Sequence, residues 1–101
     1  MLQLLVLGIC KMTVSKRSKY LMSKYGITEE QYLSQLKAQG DCCALCKKHK
    51  SNFSYSLHQD HNHKTKRNRG IVCYYCNKFR IGRHDLASAE AIYAYMVEFD
   101  G

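Results

Sequence analysis

The sequence has no proline, no tryptophan, no internal repeat and only eight acidic residues. Because it also lacks low-complexity tracts that would mark a linker, we expect a single domain. No apolar run is long enough to cross a bilayer, so a membrane partner is not predicted. A domain of 101 residues buries only a modest core, and an additional cross-link is therefore expected.

The stretch from Met1 to Cys10 is apolar, but no basic segment precedes it and no small-residue cleavage pattern follows it. These absences argue against a secretory signal. We interpret residues 1–15 as an N-terminal extension without an assigned role, either a hydrophobic strand or sequence upstream of a start at Met12. The domain itself is expected in residues 16–101. A reducing cytoplasm is the expected compartment, and paired cysteines there more often bind metal than each other.

Charge is divided unevenly along the chain. The part from Met1 to Arg83 contains all 16 lysines and arginines and four acids, whereas His84 to Gly101 contains four acids and neither lysine nor arginine. The first part thus carries +12 and the second −4, which gives the formal net charge of +8. A surface this basic favours nucleic-acid phosphates as partners. Taken alone, the charge is equally compatible with a solvated, lysine-rich surface.

Two helices are predicted in the first part of the domain. Lys16 to Tyr25 is expected to form a basic helix that ends at Gly26. Thr28 and Gln31 have the spacing of a capping box, which predicts a second helix from Glu29 to about Gln39, ended by a glycine. The expected apolar face of this second helix consists of Tyr32, Leu33 and Leu36.

The rest of the domain is predicted to contain a hairpin and two further helices. Tyr55 to Gln59 and Gly70 to Val72 are short strand candidates, and the polar segment His61 to Arg69 suits the loop between them. A short helix is expected from Asn77 to near Gly82. Asp85 is the expected N-cap of a last helix, whose helical stripe predicts core packing for Leu86, Ala89, Ile92, Tyr93 and Met96.

Two C-x-x-C pairs, Cys43 with Cys46 and Cys73 with Cys76, predict a tetrahedral zinc site with four cysteine ligands. The 26 residues between the pairs indicate that a folded element lies inside the loop that the metal closes. Two disulfides or a single redox C-x-x-C are the alternatives. Cys42 could replace Cys43, which is preferred because its spacing matches the second pair. Cys10 and Cys42 are interpreted as free thiols.

The loop between the cysteine pairs contains Asp60, His61 and His63, and Asn77 follows the second pair. Asp60 and Asn77 offer the oxygen ligands that Mg²⁺ prefers, and a neutral His61 could take a proton from an attacking water. Neighbours in a regular strand face opposite sides, so the chain is expected to leave regular geometry here, near a strand end. A second zinc site or a merely polar loop remains the alternative.

In order, these motifs resemble the recombination endonuclease VII family, which belongs to the His-Me finger, or HNH, nucleases. The resemblance covers about Lys16 to Gly82. The matching segments are Lys24 to Thr28, the Cys43 and Cys46 pair, Leu57 to His63, and Arg69 to Asn77.

The resemblance implies an α+β fold, namely a small zinc-stapled ββα-metal finger with flanking helices. It implies a DNA endonuclease in which Asp60 and Asn77 hold Mg²⁺ or Mn²⁺ at the scissile phosphate and His61 activates water. His63 would orient or neutralise the phosphate, and zinc would be structural. Cleavage is expected to leave a 5′-phosphate and a 3′-hydroxyl. A phage or prophage origin, hence a host-cell cytoplasm, double-stranded or branched DNA as partner, and a homodimer are compatible with this family.

The sequence departs from the family pattern in three places. Gln59 replaces an apolar strand residue, which affects strand packing, and Asn62 replaces a commoner aspartate that need not bind metal. Junction-resolving members also continue past the position of Gly101, so specificity for four-way junctions is not transferred.

Basic residues around the motifs are expected to contact phosphates rather than read bases. These residues are Lys64, Lys66, Arg67, Arg69, Lys78, Arg80 and Arg83. Tyr74 and Tyr75 are expected to pack beside the metal, with stacking on bases as the alternative. The main competing function is a non-catalytic, zinc-stabilised module that binds nucleic acid. Only the endonuclease requires Asp60, His61 and Asn77 together.

Overall fold

The computed structural model describes residues 15–101. The interpretation of Met1 to Cys10, including the free thiol of Cys10, lies outside this range. Helices and a two-stranded sheet are combined in the described part, which confirms the α+β class. The elements, in chain order, are helix α1 (Lys16–Tyr25), helix α2 (Glu29–Ala38), a 3₁₀ turn (Lys50–Asn52), strand β1 (His58–His61), strand β2 (Asn68–Val72), a short π-type helix (Cys76–Ile81) and helix α3 (Leu86–Asp100).

The ends of α1 and α2 are fixed by the capping residues that the sequence indicated. Gly26 adopts a positive φ of 69°, and its N–H donates to carbonyls of the last turn of α1. The capping box of α2 is complete, because Thr28 Oγ1 accepts from the Gln31 N–H at 3.0 Å and Gln31 Oε1 accepts from the Thr28 N–H at 2.8 Å. Both predicted helices are confirmed.

Tyr32 and Leu36 lie one turn apart on α2 and are buried. The prediction that Leu33 shares their face is wrong, since Leu33 is 52% exposed. One residue corresponds to a rotation of about 100° around a helix, which turns Leu33 away from the core. The Tyr32 hydroxyl donates to the buried carbonyl of Leu57 at 2.6 Å and so ties α2 to the chain entering β1.

β1 and β2 form an antiparallel hairpin whose loop is shorter than the sequence predicted. His58 pairs with Val72 and His61 with Asn68, so β1 begins and ends later than the predicted Tyr55 to Gln59. The difference arises in the loop, where Asn62 Oδ1 accepts from two following backbone N–H groups at 2.8 and 3.0 Å. This local turn shortens the loop, so β1 continues to His61 and β2 begins before Gly70.

The core lies between the helices, the hairpin and the two cysteine turns. The Ala44 N–H donates to the Ile71 carbonyl at 3.0 Å, which joins the first cysteine turn to β2. The Gln39 side chain also bonds both the N–H and the carbonyl of Ile71. The buried hydrophobic residues are Leu21, Tyr32, Leu36, Cys43, Leu57, Ile71, Val72, Cys73 and Cys76. Three cysteines therefore form part of the core itself.

Helix α3 begins at the predicted N-cap. Asp85 accepts from the Ser88 N–H at 3.0 Å, and this bond, together with the Lys64 side chain, lowers the pKa of Asp85 to about 2. The prediction that the stripe of α3 packs into the core is wrong: none of its residues is buried, and Tyr93 is 72% exposed. The spacing of apolar residues predicts that this segment is a helix, but not which element packs against it. In the described residues, only the first turns of α3 line a shallow cleft.

Candidate metal sites and catalytic residues

The four cysteines of the two C-x-x-C pairs converge on one point. Their sulfur atoms all lie within 4.8 Å of one another, and the Cys46 and Cys73 sulfurs are 3.9 Å apart. Tetrahedral zinc with bonds of about 2.3 Å requires sulfur atoms roughly 3.8 Å apart. The cluster formed by Cys43, Cys46, Cys73 and Cys76 therefore fits a metal ion such as zinc.

Cys42 is not a member of this cluster, which contains Cys43 instead. The Cys42 thiol instead donates to the Gly40 carbonyl at 3.2 Å. Each cysteine of residues 15–101 is a free thiol, so the disulfide alternative has no support there.

The electrostatics of the cluster favour a bound cation. Burial raises the pKa of Cys43, but backbone N–H groups, chiefly those of Cys46 and Cys73, outweigh it and lower that pKa to about 6. Burial and the neighbouring sulfurs raise the pKa of Cys76 to about 12. Thiols packed this closely cannot all lose their protons without a positive charge among them. The cluster thus needs a metal to hold four thiolates.

The hairpin departs from regular geometry at the segment that contains Asp60 and His61. The register shifts between Gln59 and His61, as expected for a β-bulge. The extra residue lies in β2, because only Asp60 separates the paired residues Gln59 and His61, whereas Arg69 and Gly70 separate their partners. The sequence predicted this irregularity.

Asp60 is the most deeply buried charged group of the hairpin, with only 4% of the residue exposed. Its carboxylate accepts two hydrogen bonds from Arg69, at 2.6 Å from Nε and 3.3 Å from Nη2. Arg69 Nη2 also donates to the His61 carbonyl at 3.3 Å, which fixes the guanidinium across the bulge. Arg69 was predicted to contact phosphate, and in the structure it forms an ion pair with Asp60, the predicted metal ligand.

His61 lies between two aromatic groups. Its ring centroid is 4.7 Å from that of His63 and 5.4 Å from that of Tyr25, which meets it edge-on. Partial burial is the main cause that lowers the pKa of His61, followed by the positive charges of His63 and Lys66, while Asp60 acts in the opposite direction. A lowered pKa keeps the imidazole neutral near pH 7 and able to accept a proton.

Asn77 lies on the short helix that follows β2. Its N–H donates to the Cys73 carbonyl and its own carbonyl accepts from the Gly82 N–H, both at 2.9 Å. The second bond spans five residues and is π-type, a local distortion common at functional sites. Within residues 15–101 the Asn77 side chain makes no hydrogen bond, and none joins it to Asp60. The structure therefore places Asp60 and His61 next to each other on β1, brings the rings of His61 and His63 into contact, and places Asn77 on the next element.

The predicted phosphate contacts have different surroundings. Lys64 pairs with Asp85 at 3.1 Å, and Arg69 pairs with Asp60. Lys78 and Arg80 lie over aromatic rings. Within residues 15–101, no ion pair is formed by Lys66, Arg67 and Arg83.

Three side-chain interactions near the candidate site were not predicted from the sequence. Tyr25 packs on His61, although only its place in a helix was predicted. Gln59 is 3% exposed, and its amide donates to the Arg69 carbonyl at 2.8 Å, so it ties the strands together in place of an apolar residue. The Arg69 and Asp60 pair could be found only by pairing opposite charges across the hairpin, which requires the strand register.

Comparison with known proteins adds an independent finding. The family model described as recombination endonuclease VII matches residues 18–98. The chain is 37% identical over 62 residues to the Gene 59 protein of Mycobacterium phage D29 and 36% identical over 62 residues to that of Mycobacterium phage L5. Each alignment covers 61% of this chain but only 37% of the relative, so the chain spans well under half of the curated relatives it matches. No solved structure gives a significant match.

Proposed function

Because the chain belongs to the recombination endonuclease VII family, we propose that it is a metal-dependent DNA endonuclease of the His-Me finger type. It hydrolyses phosphodiester bonds in double-stranded or branched DNA and leaves a 5′-phosphate and a 3′-hydroxyl. The observation that carries this proposal is the bulged hairpin, which holds a buried carboxylate beside a histidine whose pKa is lowered. A phage or prophage origin follows from the phage relatives.

His61 is the general base in this proposal. Its neutral imidazole accepts a proton from the water that attacks phosphorus, while the Tyr25 ring limits the positions the imidazole can take. His63, whose ring centroid lies 4.7 Å from that of His61, orients or neutralises the phosphate. These roles need the two imidazoles on one side of the hairpin, as their contact supports.

The donors proposed for the catalytic ion are the Asp60 carboxylate and the Asn77 side-chain amide. Both are oxygen donors, as Mg²⁺ or Mn²⁺ requires, and the ion when bound polarises the scissile phosphate. Arg69 now supplies the positive charge that the buried Asp60 carboxylate needs. Arg69 must therefore release at least one carboxylate oxygen, and its partly exposed side chain has room to do so.

Zinc is proposed as a structural ion on the cysteine cluster. The cluster joins the first cysteine turn to the helix that contains Asn77, so the ion fixes that helix against the hairpin. All four ligand positions are filled by cysteine sulfur, which leaves no open position for catalysis.

One observation favours a second function. Both oxygens of Asp60 are held by Arg69, as in a purely structural ion pair, and this arrangement suits a zinc-stabilised module that binds nucleic acid without cutting it. Catalysis therefore has to be tested directly.

The test is single-turnover cleavage of labelled duplex and branched DNA by zinc-loaded protein, with and without Mg²⁺. His61→Ala should lower the rate by about 10² to 10⁴ while folding, zinc content and DNA binding in Ca²⁺ stay unchanged, because a general base contributes about that much. Asp60→Ala and Asn77→Ala should also raise the Mg²⁺ concentration needed. Imidazole should restore part of the activity of His61→Ala, whereas extra Mg²⁺ should not.

His49→Gln is the matched control, since His49 is an exposed histidine that only caps the 3₁₀ turn. It should cleave like the wild-type chain. Unchanged cleavage by His61→Ala would remove His61 from the mechanism. If the folded wild-type chain cuts no DNA in Mg²⁺ or Mn²⁺, the binding module becomes the correct function.

A further inference from the structure

A row of six rings crosses one part of the surface, and we call it the aromatic track. Neighbouring rings in the row have centroids 5.3 to 6.3 Å apart. Its four most exposed rings leave 40% to 62% of the residue open to solvent. The track consists, in spatial order, of Phe53, Tyr55, His58, Tyr74, Phe79 and Tyr75. A contiguous exposed patch of this kind marks a binding surface more often than rings scattered singly.

Two cations lie over the most exposed end of the track. Lys78 Nζ is 5.7 Å from the Tyr74 ring centroid and 5.8 Å from that of Phe79, and Arg80 Cζ is 5.4 Å from the Tyr75 centroid. Neither cation forms an ion pair within residues 15–101. Both positive charges are therefore available to an anionic ligand that also has flat, apolar faces.

The rings are held in place by the fold. The Tyr74 N–H donates to the Tyr55 hydroxyl at 3.0 Å, which joins the two sides of the track. Tyr74 and Tyr75 lie between Cys73 and Cys76, so the cysteine cluster fixes the backbone from which both rings project. Tyr75 lines a cleft beside Cys46, Cys73 and Cys76, as expected from its place between the ligands, yet Tyr74 and Tyr75 remain 44% and 56% exposed. A surface ordered in advance binds its ligand with a smaller entropy cost.

We propose that the aromatic track binds single-stranded DNA, with unpaired bases stacked on its rings and flanking phosphates on Lys78 and Arg80. Aromatic rings beside cations are how proteins bind unpaired strands, because every base has a flat face and every nucleotide a negative charge. Paired duplex bases already stack on one another and offer no free face. This binding does not rest on the proposed nuclease function.

The first test places a fluorescent probe in the track. The chain has no tryptophan, so Phe79→Trp introduces a single reporter at a ring that is 62% exposed. The ligand is an oligothymidylate of about twelve nucleotides, within the usual site size of such surfaces. Titration in Ca²⁺, without Mg²⁺ or chelator, avoids both cleavage and loss of zinc. Saturable quenching is expected, whereas an abasic deoxyribose-phosphate oligomer of equal length should produce none.

Helix α3 provides the matched control for both the probe and the loss of rings. Tyr95 and Phe99 form an exposed aromatic pair, 4.8 Å apart, on a helix without lysine or arginine. Phe99→Trp should show no quenching by oligothymidylate. The double variant Tyr95→Ala, Phe99→Ala should bind the oligomer like the wild-type chain.

The second test removes the exposed end of the track. The double variant Tyr75→Ala, Phe79→Ala should bind oligothymidylate at least about tenfold more weakly, as expected from the loss of base stacking, and should bind the abasic oligomer as before. Unchanged affinity in this variant, or equal wild-type affinity for the two oligomers, would overturn the proposal. Because cleavage is not measured, a failure of the proposed nuclease activity would not alter either result.

Discussion

At the scale of single residues, the role of Arg69 differs most between the two candidate functions. In the structure it neutralises a carboxylate that is 96% buried, and in the proposed mechanism it must share that carboxylate with a divalent ion. A buried charge that loses its only partner destabilises a fold, because the desolvation cost is no longer offset. Arg69 is therefore expected to act on stability as well as on DNA.

We predict that Arg69→Gln lowers the free energy of unfolding by about 1 to 3 kcal/mol, since Asp60 is left without a cation. In thermal melts this corresponds to roughly 4 to 8 °C per kcal/mol for a domain of this size. Millimolar Ca²⁺ should recover part of the loss, but only if Asp60 binds divalent ions.

Arg67→Gln is the control, because Arg67 lies in the same hairpin, is exposed, and forms no ion pair within the described residues. It should melt like the wild-type chain with and without Ca²⁺. Equal melting of the two variants would show that Arg69 does not stabilise Asp60.

The residues proposed for catalysis could be selected from the sequence at this scale, but their contacts could not. Asp60, His61 and Asn77 stand out because their order between and after the cysteine pairs suits one kind of chemistry. The contacts of Asp60 with Arg69 and of His61 with Tyr25 depend on strand register and on the end of α1, and neither follows from residue types.

At the scale of elements, the cysteine cluster joins three parts of the chain. It links the turn after α2, the end of β2 and the start of the Cys76–Ile81 helix. Three of its four members are also core residues. A core this small has few other contacts that could replace the link, so metal binding and folding should be coupled.

We predict that Cys73→Ser abolishes stoichiometric zinc binding and the cooperative thermal transition, because one ligand and one core contact are lost together. Elemental analysis and thermal denaturation followed by circular dichroism measure the two effects. Cys42→Ser is the control, since its sulfur lies outside the cluster, and it should retain one zinc per chain. A Cys73→Ser protein with full zinc content and unchanged melting would disprove the assignment.

The sequence predicted which segments are helices or strands more reliably than where they end or which elements they pack against. The caps at Thr28 and Asp85 identified their helices because a cap acts within four residues. The hairpin ends were displaced by a side-chain turn at Asn62, a local effect that strand patterns do not record. The stripe on α3 predicted burial that is absent, since periodicity describes one helix and not its neighbours.

At the scale of the whole molecule, charge and aromatic rings separate into regions. The hairpin loop contains Lys64, Lys66 and Arg67 and the Cys76–Ile81 helix contains Lys78 and Arg80, whereas α3 has no lysine or arginine. No helix within residues 15–101 is long and apolar enough to pass through a bilayer. The net charge of +8 predicted a polyanion as partner, but only the structure distinguishes cations that already have partners from those that are free to bind phosphate.

Lys66 and Arg67, at the tip of the hairpin loop, are the free cations closest in sequence to His61 and His63, and we predict that they contact DNA phosphates. Lys66 has a positive φ of 68°, so Lys66→Asn preserves the loop better than alanine, because asparagine tolerates that conformation. Combined with Arg67→Gln, it should weaken binding to all DNA sequences alike and reduce the slope of log K against log salt by about one unit per lost contact. The control, Lys19→Gln with Lys37→Gln, removes the same charge from exposed positions on α1 and α2 and should change the slope less. An equal effect of the two double variants would assign binding to the overall field of the protein, and an effect confined to one DNA sequence would mean that the loop reads bases.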